Sequence, residues 1–170
     1  MPAKVVTPVI NAPTFEFLKV QMTIHLSRSQ TGGDFALIEA MMPPDEDGGL
    51  HMQTREDELI HLLEGELHVT TGQESLVLKA GQSYFAPRNI SHYLRNCGSR
   101  VARALLINAP GTFDEFIQQA GVTSADAAAS ASPPDPEEAT QTLEQVNPIR
   151  EPPPSFNDDR FGCDGEFVPP

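Results

Sequence analysis

Short runs of alternating apolar and polar residues, separated by glycine and proline turns, fill the first 120 residues. FEFLKVQMTIHLS and DFALIEAMM lie on either side of a TGG turn, ELIHLLEGELHVTT breaks at Gly65, and ESLVLKAGQSYFAP breaks at KAGQ. Two further runs, SHYLRN and RVARALLIN, follow. Several short strands punctuated at this spacing are typical of a sandwich or a small barrel. The sequence therefore predicts an all-β domain.

One helix is predicted directly after the last strand. In GTFDEFIQQAG, the apolar residues Phe113, Phe116 and Ile117 recur at helical spacing. The stretch ends in Gly121, and glycine is common where a helix ends.

The composition changes at Gly121. Residues 1–120 carry 14 acidic and nine basic residues, whereas residues 121–170 carry ten acidic and two basic residues and nine of the 16 prolines. Proline lacks an amide donor and fixes φ, so SADAAASASPPDP and REPPPSF predict neither strand nor long helix. We therefore expect a barrel domain with an N-terminal arm at 1–120. The acidic, Pro-rich tail at 121–170 is either an extended arm or partly disordered, with one short helix in DPEEATQTLEQV.

The charge of the chain excludes two classes of partner. A net charge of −13 opposes binding to nucleic acid and to an anionic membrane surface, because both need a basic footprint. No apolar run reaches the length of a membrane span, and the start MPAKVVTPVI has no apolar signal core, so we expect a cytoplasmic protein. In a reducing cytosol, Cys97 and Cys163 are expected to be two thiols rather than a disulfide.

A group of metal-binding residue types lies in the middle of the chain. His51 and Gln53 are two residues apart, so within a strand they face the same side. Glu58 begins the next apolar strand with the same parity as Ile60, and His92 follows a proline turn. Each of these residues alone is weak evidence for a site.

The other histidines and acids near this group have simpler interpretations. His61 has the opposite parity to Glu58, and His68 alternates with apolar neighbours, so both are predicted to face away from the barrel interior. Glu56 and Asp57 belong to the acidic stretch REDE, which we interpret as a solvated loop.

Two stretches resemble the paired motifs of the cupin superfamily. GGLHMQTREDELIHLLEGE resembles the first motif, and GQSYFAPRNISHYLRN resembles the second, with Gly81, Pro87, His92 and Asn96 at matching spacing. The flanking stretches TGGDFALIEAMMPP and NAPGTFDEFIQQAG resemble those of small single-domain cupins related to quercetin dioxygenases. The resemblance covers roughly residues 20–120. It implies a double-stranded β-helix, that is, a jelly-roll barrel, and a homodimer, since cupins usually bury open sheet edges by pairing.

The resemblance also implies one divalent metal inside the barrel. The ligand positions of the family correspond to His51, Gln53, Glu58 and His92, with Gln53 in place of the second histidine of the first motif. Asn89 also replaces the glycine that usually follows the proline of the second motif. The metal would be Fe, Mn, Ni, Co, Cu or Zn.

Gln53 leaves the metal content open to two interpretations. His51, Glu58 and His92 still provide two imidazoles and one carboxylate, the ligand set of non-haem Fe(II) oxygenases. Gln53 would then supply a fourth oxygen ligand or a hydrogen bond to bound water or substrate. The alternative is a site that no longer holds metal.

Three functions are compatible with these residues. The first is a metal-dependent oxygenase acting on an aromatic or polyphenolic molecule, in which Glu58 is the catalytic base that accepts a hydroxyl proton. The second is an O2-independent cyclase, isomerase or dehydratase of secondary metabolism that uses the same pocket. The third is a small-molecule-binding protein without catalysis. The sequence identifies no substrate-binding residues.

Overall fold

The computed structural model describes residues 11–71, 74–123 and Cys163. Within these ranges the chain is mostly strand, which confirms the predicted all-β class. The strands are β1 (Thr14–Phe17), β2 (Val20–Leu26), β3 (Ala36–Met42), β4 (Asp57–Glu64), β5 (Glu66–Thr71), β6 (Glu74–Lys79), β7 (Ser83–Ala86), β8 (His92–Arg95), β9 (Ala102–Ala109) and β10 (Val122–Thr123). The helices are α1 (Arg28–Thr31) and α2 (Phe113–Ala120).

The strands form two antiparallel sheets that enclose one core. The larger sheet has the order β10-β1-β2-β3-β9-β4-β7, and the smaller sheet has the order β6-β5-β8. Val20, Ile38 and Ile60 from the larger sheet and Val69 from the smaller sheet are fully buried in a single apolar cluster. This arrangement is the predicted jelly-roll barrel.

The predicted strand break at Gly65 is confirmed, and the chain also passes from one sheet to the other at this residue. Gly65 has a φ of 82°, and a Cβ atom there would lie 3.0 Å from the Cα atom of Ala102. Both the left-handed backbone and the close approach of β9 therefore require glycine. β4 ends at Glu64 and β5 begins at Glu66, so this one residue divides the predicted double run.

A tight turn that the sequence did not predict separates β1 from β2. Leu18 and Lys19 connect the two strands with φ values of 49° and 61°. Two-residue turns of this kind favour Asn-Gly or Asp-Gly, because side chains are strained at positive φ. Here Leu18 packs against the core and Lys19 forms an ion pair with Glu46 at 2.8 Å, and these contacts offset the strain.

The predicted helix after β9 is confirmed as α2, which buries Phe113, Phe116 and Ile117. The four-residue helix α1, by contrast, lies where only a turn was expected. Neither of the helices in the described ranges has the length and apolar character needed to cross a bilayer.

The expectation of two free thiols is wrong. Cys97, in the loop after β8, forms a disulfide with Cys163, and the two Cα atoms are 5.3 Å apart. The bond fastens one point of the tail to the barrel domain. The expected arm and the helix in DPEEATQTLEQV lie outside the described residues.

The segment 45–51 lies antiparallel to β8, on the side opposite β5. The amide of Asp45 donates to the carbonyl of Asn96 at 2.9 Å. The amide of Gly48 donates to the carbonyl of Leu94 at 3.1 Å. His51 and His92 then exchange two backbone hydrogen bonds, at 3.1 and 2.9 Å. This pairing brings the two cupin-like motifs together side by side.

An ion pair ties the loop after β7 to the start of β4. The guanidinium of Arg88 donates to both carboxylate oxygens of Asp57, at 3.0 and 2.7 Å. The next residue, Asn89, has a φ of 65°, and its amide donates to the carbonyl of Gln53 at 2.8 Å. Asparagine tolerates this left-handed conformation, so the turn forms without the glycine that the second cupin motif usually has.

We predict that Arg88→Gln raises the pKa of Asp57. Hydrogen bonds from Arg88 hold this pKa at about 2, below its ordinary value of 3.8. The stabilisation from the ion pair is therefore present above pH 3.8 and is lost as the pH falls through about 2. A carbon-13 NMR titration of the Asp57 carboxyl should show the pKa returning towards 3.8 in the variant.

Arg103→Gln is the matched control, because Arg103 pairs with Glu39 and Glu64 instead. It should leave the titration of Asp57 unchanged. An Asp57 pKa of about 2 in Arg88→Gln would show that Arg88 does not set it.

Candidate metal centre

Three side chains converge inside the barrel at the end where segment 45–51 meets β8. Ligand atoms of His51, Glu58 and His92 all lie within 4.8 Å of one another, and all three residues are buried. His51 ends the paired segment, Glu58 lies near the start of β4, and His92 begins β8. The structure thus groups three of the four residues singled out in the sequence.

The geometry of the group centres on one oxygen of Glu58. His92 Nε2 lies 3.0 Å from Glu58 Oε2, and His51 Nε2 lies 3.9 Å from the same atom. His51 Nδ1 lies 3.2 Å from the carbonyl oxygen of Gly49, and His92 Nδ1 lies 3.4 Å from that of Ile90. Because a carbonyl only accepts, each Nδ1 carries a proton and each Nε2 is directed towards Glu58.

The charges in this group stabilise one another. Burial alone would raise the pKa of Glu58, but the two imidazoles outweigh it and hold the pKa well below its usual range. Burial alone would lower the pKa of His51, but the charge of Glu58 outweighs it and raises the pKa. At 3.9 Å this contact is an attraction between charges rather than a formed hydrogen bond. The carboxylate is therefore ionised throughout the physiological range.

Gln53 is buried, and it lies in a loop rather than in a strand. In the sequence it is two residues after His51 and five before Glu58. The residue follows the His51 bridge and precedes β4, and only 2% of it is exposed. Neither its amide oxygen nor its amide nitrogen has a hydrogen-bond partner in the described part of the chain. Buried polar atoms are usually paired, so this amide has the character of a ligand-binding group. Its role as a metal ligand stays a prediction.

Asn108 is a polar residue of the site that sequence reasoning missed. It lies in β9 directly opposite Glu58, is fully buried, and donates from Nδ2 to Glu58 Oε1 at 3.3 Å. The signal was present in RVARALLIN, since Asn108 has the same parity as the buried Ala104 and Leu106. A polar residue on the inward face of an apolar strand marks a functional or structural contact.

Glu56 is not in a solvated loop, so that expectation is wrong. Only 1% of Glu56 is exposed, and its Oε2 accepts the backbone amides of Thr112 and Phe113 at 2.6 and 3.2 Å. Burial raises the pKa of this carboxyl group, although the two amides act in the opposite direction. By binding the start of α2, Glu56 holds the ring of Phe113 parallel to that of His51, with centroids 6.4 Å apart.

An apolar cavity of about 40 Å³ adjoins the group. His51 and Glu58 line it, and most of the remaining lining consists of apolar side chains, among them Met22, Met42, Leu106 and Phe113. Among the described residues, no lysine or arginine lines it. A bound molecule would therefore meet ionisable side chains only at His51 and Glu58.

The predictions for His61 and His68 are confirmed. Both are partly exposed on strands whose alternate residues are buried in the core. His61 Nδ1 lies 2.8 Å from Ser83 Oγ on the neighbouring strand β7, outside the group. Parity along the strands thus separated the grouped histidines from the surface histidines.

The donor set fits a divalent first-row metal. Both distances from Glu58 Oε2 to the imidazole Nε2 atoms are below about 4.2 Å, the largest separation that two bonds of about 2.1 Å to one metal allow. The three ligand atoms as a group lie within 4.8 Å, slightly wider than that limit, so a bound metal would draw them together. His51 Nε2 has no hydrogen-bond partner among the described residues, although it is buried. With Nδ1 protonated, the lone pair of His92 Nε2 faces the negative charge of Glu58, so a proton or a cation must lie between the two atoms. A metal ion would take the place of that proton.

Comparison with known proteins agrees with this geometry at the level of the domain. Residues 38–108 match the family model described as a cupin domain. These residues run from β3 to β9 and include all the grouped side chains. No curated protein matches the chain.

Solved structures share the fold at low sequence identity. A predicted oxalate decarboxylase from Thermotoga maritima is 21% identical with a TM-score of 0.55, covering 58% of this chain and 93% of its own. An RmlC-like cupin from Shewanella frigidimarina is 16% identical with a TM-score of 0.55, covering 66% and 96%. KdgF from a Halomonas species is 18% identical with a TM-score of 0.51, covering 56% and 83%. These likenesses show a cupin barrel, and they do not single out quercetin dioxygenase-like proteins.

We predict that His51→Ala and His92→Ala each remove most of the bound metal from a protein that still folds. The buried apolar cluster includes neither imidazole, and in each variant the other histidine and Asn108 still contact Glu58. Metal content should be measured by elemental analysis after reconstitution with Fe, Mn, Ni, Co, Cu and Zn. His61→Ala is the matched control and should keep the wild-type metal content. Equal metal content in all three variants would contradict the site.

We predict that Gln53→His raises metal affinity by about 10–100-fold, the range over which changes around a metal alter its binding. Imidazole is a better donor than an amide oxygen for most first-row divalent ions. Competition with a chelator measures the dissociation constant. An unchanged constant in a folded variant would mean that residue 53 does not face the metal.

Proposed function

We propose that the protein is a metal-dependent cupin enzyme that uses O2 to oxidise a small aromatic molecule carrying an ionisable hydroxyl group. The observation that carries this proposal is the position of His51, Glu58 and His92 at the polar end of an otherwise apolar cavity. Two imidazoles and one carboxylate leave coordination positions open, as in non-haem iron oxygenases.

The apolar lining supports an aromatic substrate. An aromatic ring gains from burial against methionine, leucine and phenylalanine side chains, at roughly 25 cal/mol for each Å² removed from water. A small dicarboxylate would gain little there, because no lysine or arginine among the described residues lines the cavity to pair with its second charge. A flavonol-like or polyketide-like molecule combines an apolar body with a polar edge, and because the cavity of about 40 Å³ is little larger than one water molecule, this edge would enter only where the lining side chains move apart.

The chain contributes binding, orientation and proton transfer. His51, Glu58 and His92 would hold the metal, which when bound supplies Lewis acidity and access to O2. Glu58 is ionised and would accept the proton of a substrate hydroxyl that takes the place of His92 or Asn108 at one of its oxygens. Phe113, held by the contact of Glu56 with α2, forms an apolar wall beside His51 and excludes water. A dioxygenase needs no added reductant, because both oxygen atoms enter the substrate.

A second function is favoured by the hydrogen bond between Glu58 and His92. A buried carboxylate–imidazole pair at 3.0 Å can move a proton between two substrate atoms without O2. The same pocket would then serve a cyclase, an isomerase or a dehydratase. A binding protein without catalysis would use the pocket alone.

We predict that protein reconstituted with one of the six metals consumes O2 when given a flavonol or a catechol. An oxygen electrode measures uptake, and mass spectrometry in ¹⁸O2 should find both labelled atoms in the product. His92→Ala should abolish uptake, whereas His61→Ala should not. Turnover that continues under argon would contradict the oxygenase and support the second function. A ligand that binds without turnover would indicate a binding protein without catalysis.

A further inference from the structure

The side chain of Asn108 has one atom in use and one atom without a partner. Nδ2 donates to Glu58 Oε1 at 3.3 Å, whereas Oδ1 is buried and has no hydrogen-bond partner among the described residues. The residue is fully buried. Its partner on the adjacent strand β3 is Ala36, whose side chain cannot form a hydrogen bond. A buried acceptor of this kind costs free energy unless a donor meets it.

The donated hydrogen bond fixes the carboxylate of Glu58. Both imidazoles approach Oε2, and Asn108 holds the other oxygen, Oε1. The terminal torsion of a glutamate is soft, so a carboxylate held at one oxygen alone would rotate. Support of this kind from residues behind a metal ligand sets the orientation of that ligand.

The free amide oxygen of Asn108, Oδ1, restricts which chemical group of a bound molecule can lie next to it. An amide oxygen only accepts hydrogen bonds, so its partner must be a donor such as a hydroxyl group or a water molecule. Asn108 has the same strand parity as Ala104 and Leu106, which line the cavity, so its side chain faces the barrel interior, where it contacts Glu58 rather than lining the cavity itself. A molecule that binds at Glu58 and reaches Oδ1 would therefore have to place a hydroxyl group there.

We propose that Asn108 has two roles at this site: it positions Glu58 through Nδ2, and it recognises the hydroxyl group of the bound molecule through Oδ1. The substrate class is thereby narrowed to molecules with an apolar body and a hydroxyl donor, such as phenols and enols. The positioning role rests on the proposed metal centre. The recognition role does not require metal.

Asn108→Leu tests the positioning role, because leucine has a similar size and lacks both hydrogen-bonding atoms. Metal affinity measured by chelator competition should fall about 10–100-fold. The visible spectrum of the cobalt-loaded protein should also change, because Glu58 is no longer held. Asn108→Ala should show the same loss and serves if the leucine variant does not fold.

Asn96→Ala is the matched control. Asn96 is also fully buried, but it donates to the carbonyls of Met42 and Arg100, away from Glu58. This variant should unfold more easily and keep the wild-type metal affinity and cobalt spectrum. Unchanged affinity and spectrum in both Asn108 variants would overturn the positioning role. A wild-type protein that holds no metal would overturn the proposed metal centre together with that role.

Binding of phenol and of anisole tests the recognition role. Both probes have the same apolar ring, but anisole has a methyl group in place of the hydroxyl proton. At saturating metal, or in metal-free protein, Asn108→Leu should weaken phenol binding about 10-fold and leave anisole binding unchanged. An equal change for both probes, or none for either, would show that Asn108 only shapes the pocket.

Discussion

Glu58 is an ionised carboxylate inside a barrel whose other inward side chains are mostly apolar, and the polar end of the structure is organised around this charge. An isolated buried carboxylate is costly, so it must be paired and hydrogen-bonded. His51 and His92 approach one of its oxygens and Asn108 holds the other. These partners come from three separate parts of the chain, so the charge of Glu58 links segment 45–51, β8 and β9 through one residue of β4.

The parts of this arrangement that follow from local chemistry were predictable from the sequence. The break at Gly65 follows from a backbone that only glycine adopts easily, and the outward direction of His61 follows from strand parity. The grouping of His51 with His92 is different, because it depends on backbone pairing between segments 41 residues apart. No local pattern encodes that pairing, and the resemblance to cupin motifs supplied it.

The features that the sequence did not predict have physical reasons in common. Leu18 and Lys19 form a turn without any turn-favouring residue, because tertiary contacts offset the strain. Glu56 looked solvated among other acids, yet the free amides at the start of α2 give it a buried partner. The disulfide of Cys97 with Cys163 joins residues 66 positions apart, and composition alone cannot establish such a contact. In each case a distant partner outweighs the local preference.

The side-chain amides of Gln53 and Asn108 are buried and carry atoms without a hydrogen-bond partner among the described residues. Replacing Gln53 with an apolar residue of similar shape would remove two buried polar atoms without partners, a change that is often neutral or stabilising for folding, whereas replacing Asn108 would also remove a hydrogen bond to the buried charge of Glu58. Folding therefore gives no reason for Gln53 to be an amide, whereas Asn108 has such a reason in its contact with Glu58. The neutral amide of Asn108 adds no charge beside Glu58, whereas a lysine or arginine at this position would compete with a metal for the carboxylate. A neutral hydrogen-bonding group on the carboxylate of Glu58 suits a centre that binds a cation together with a polar group of a second molecule.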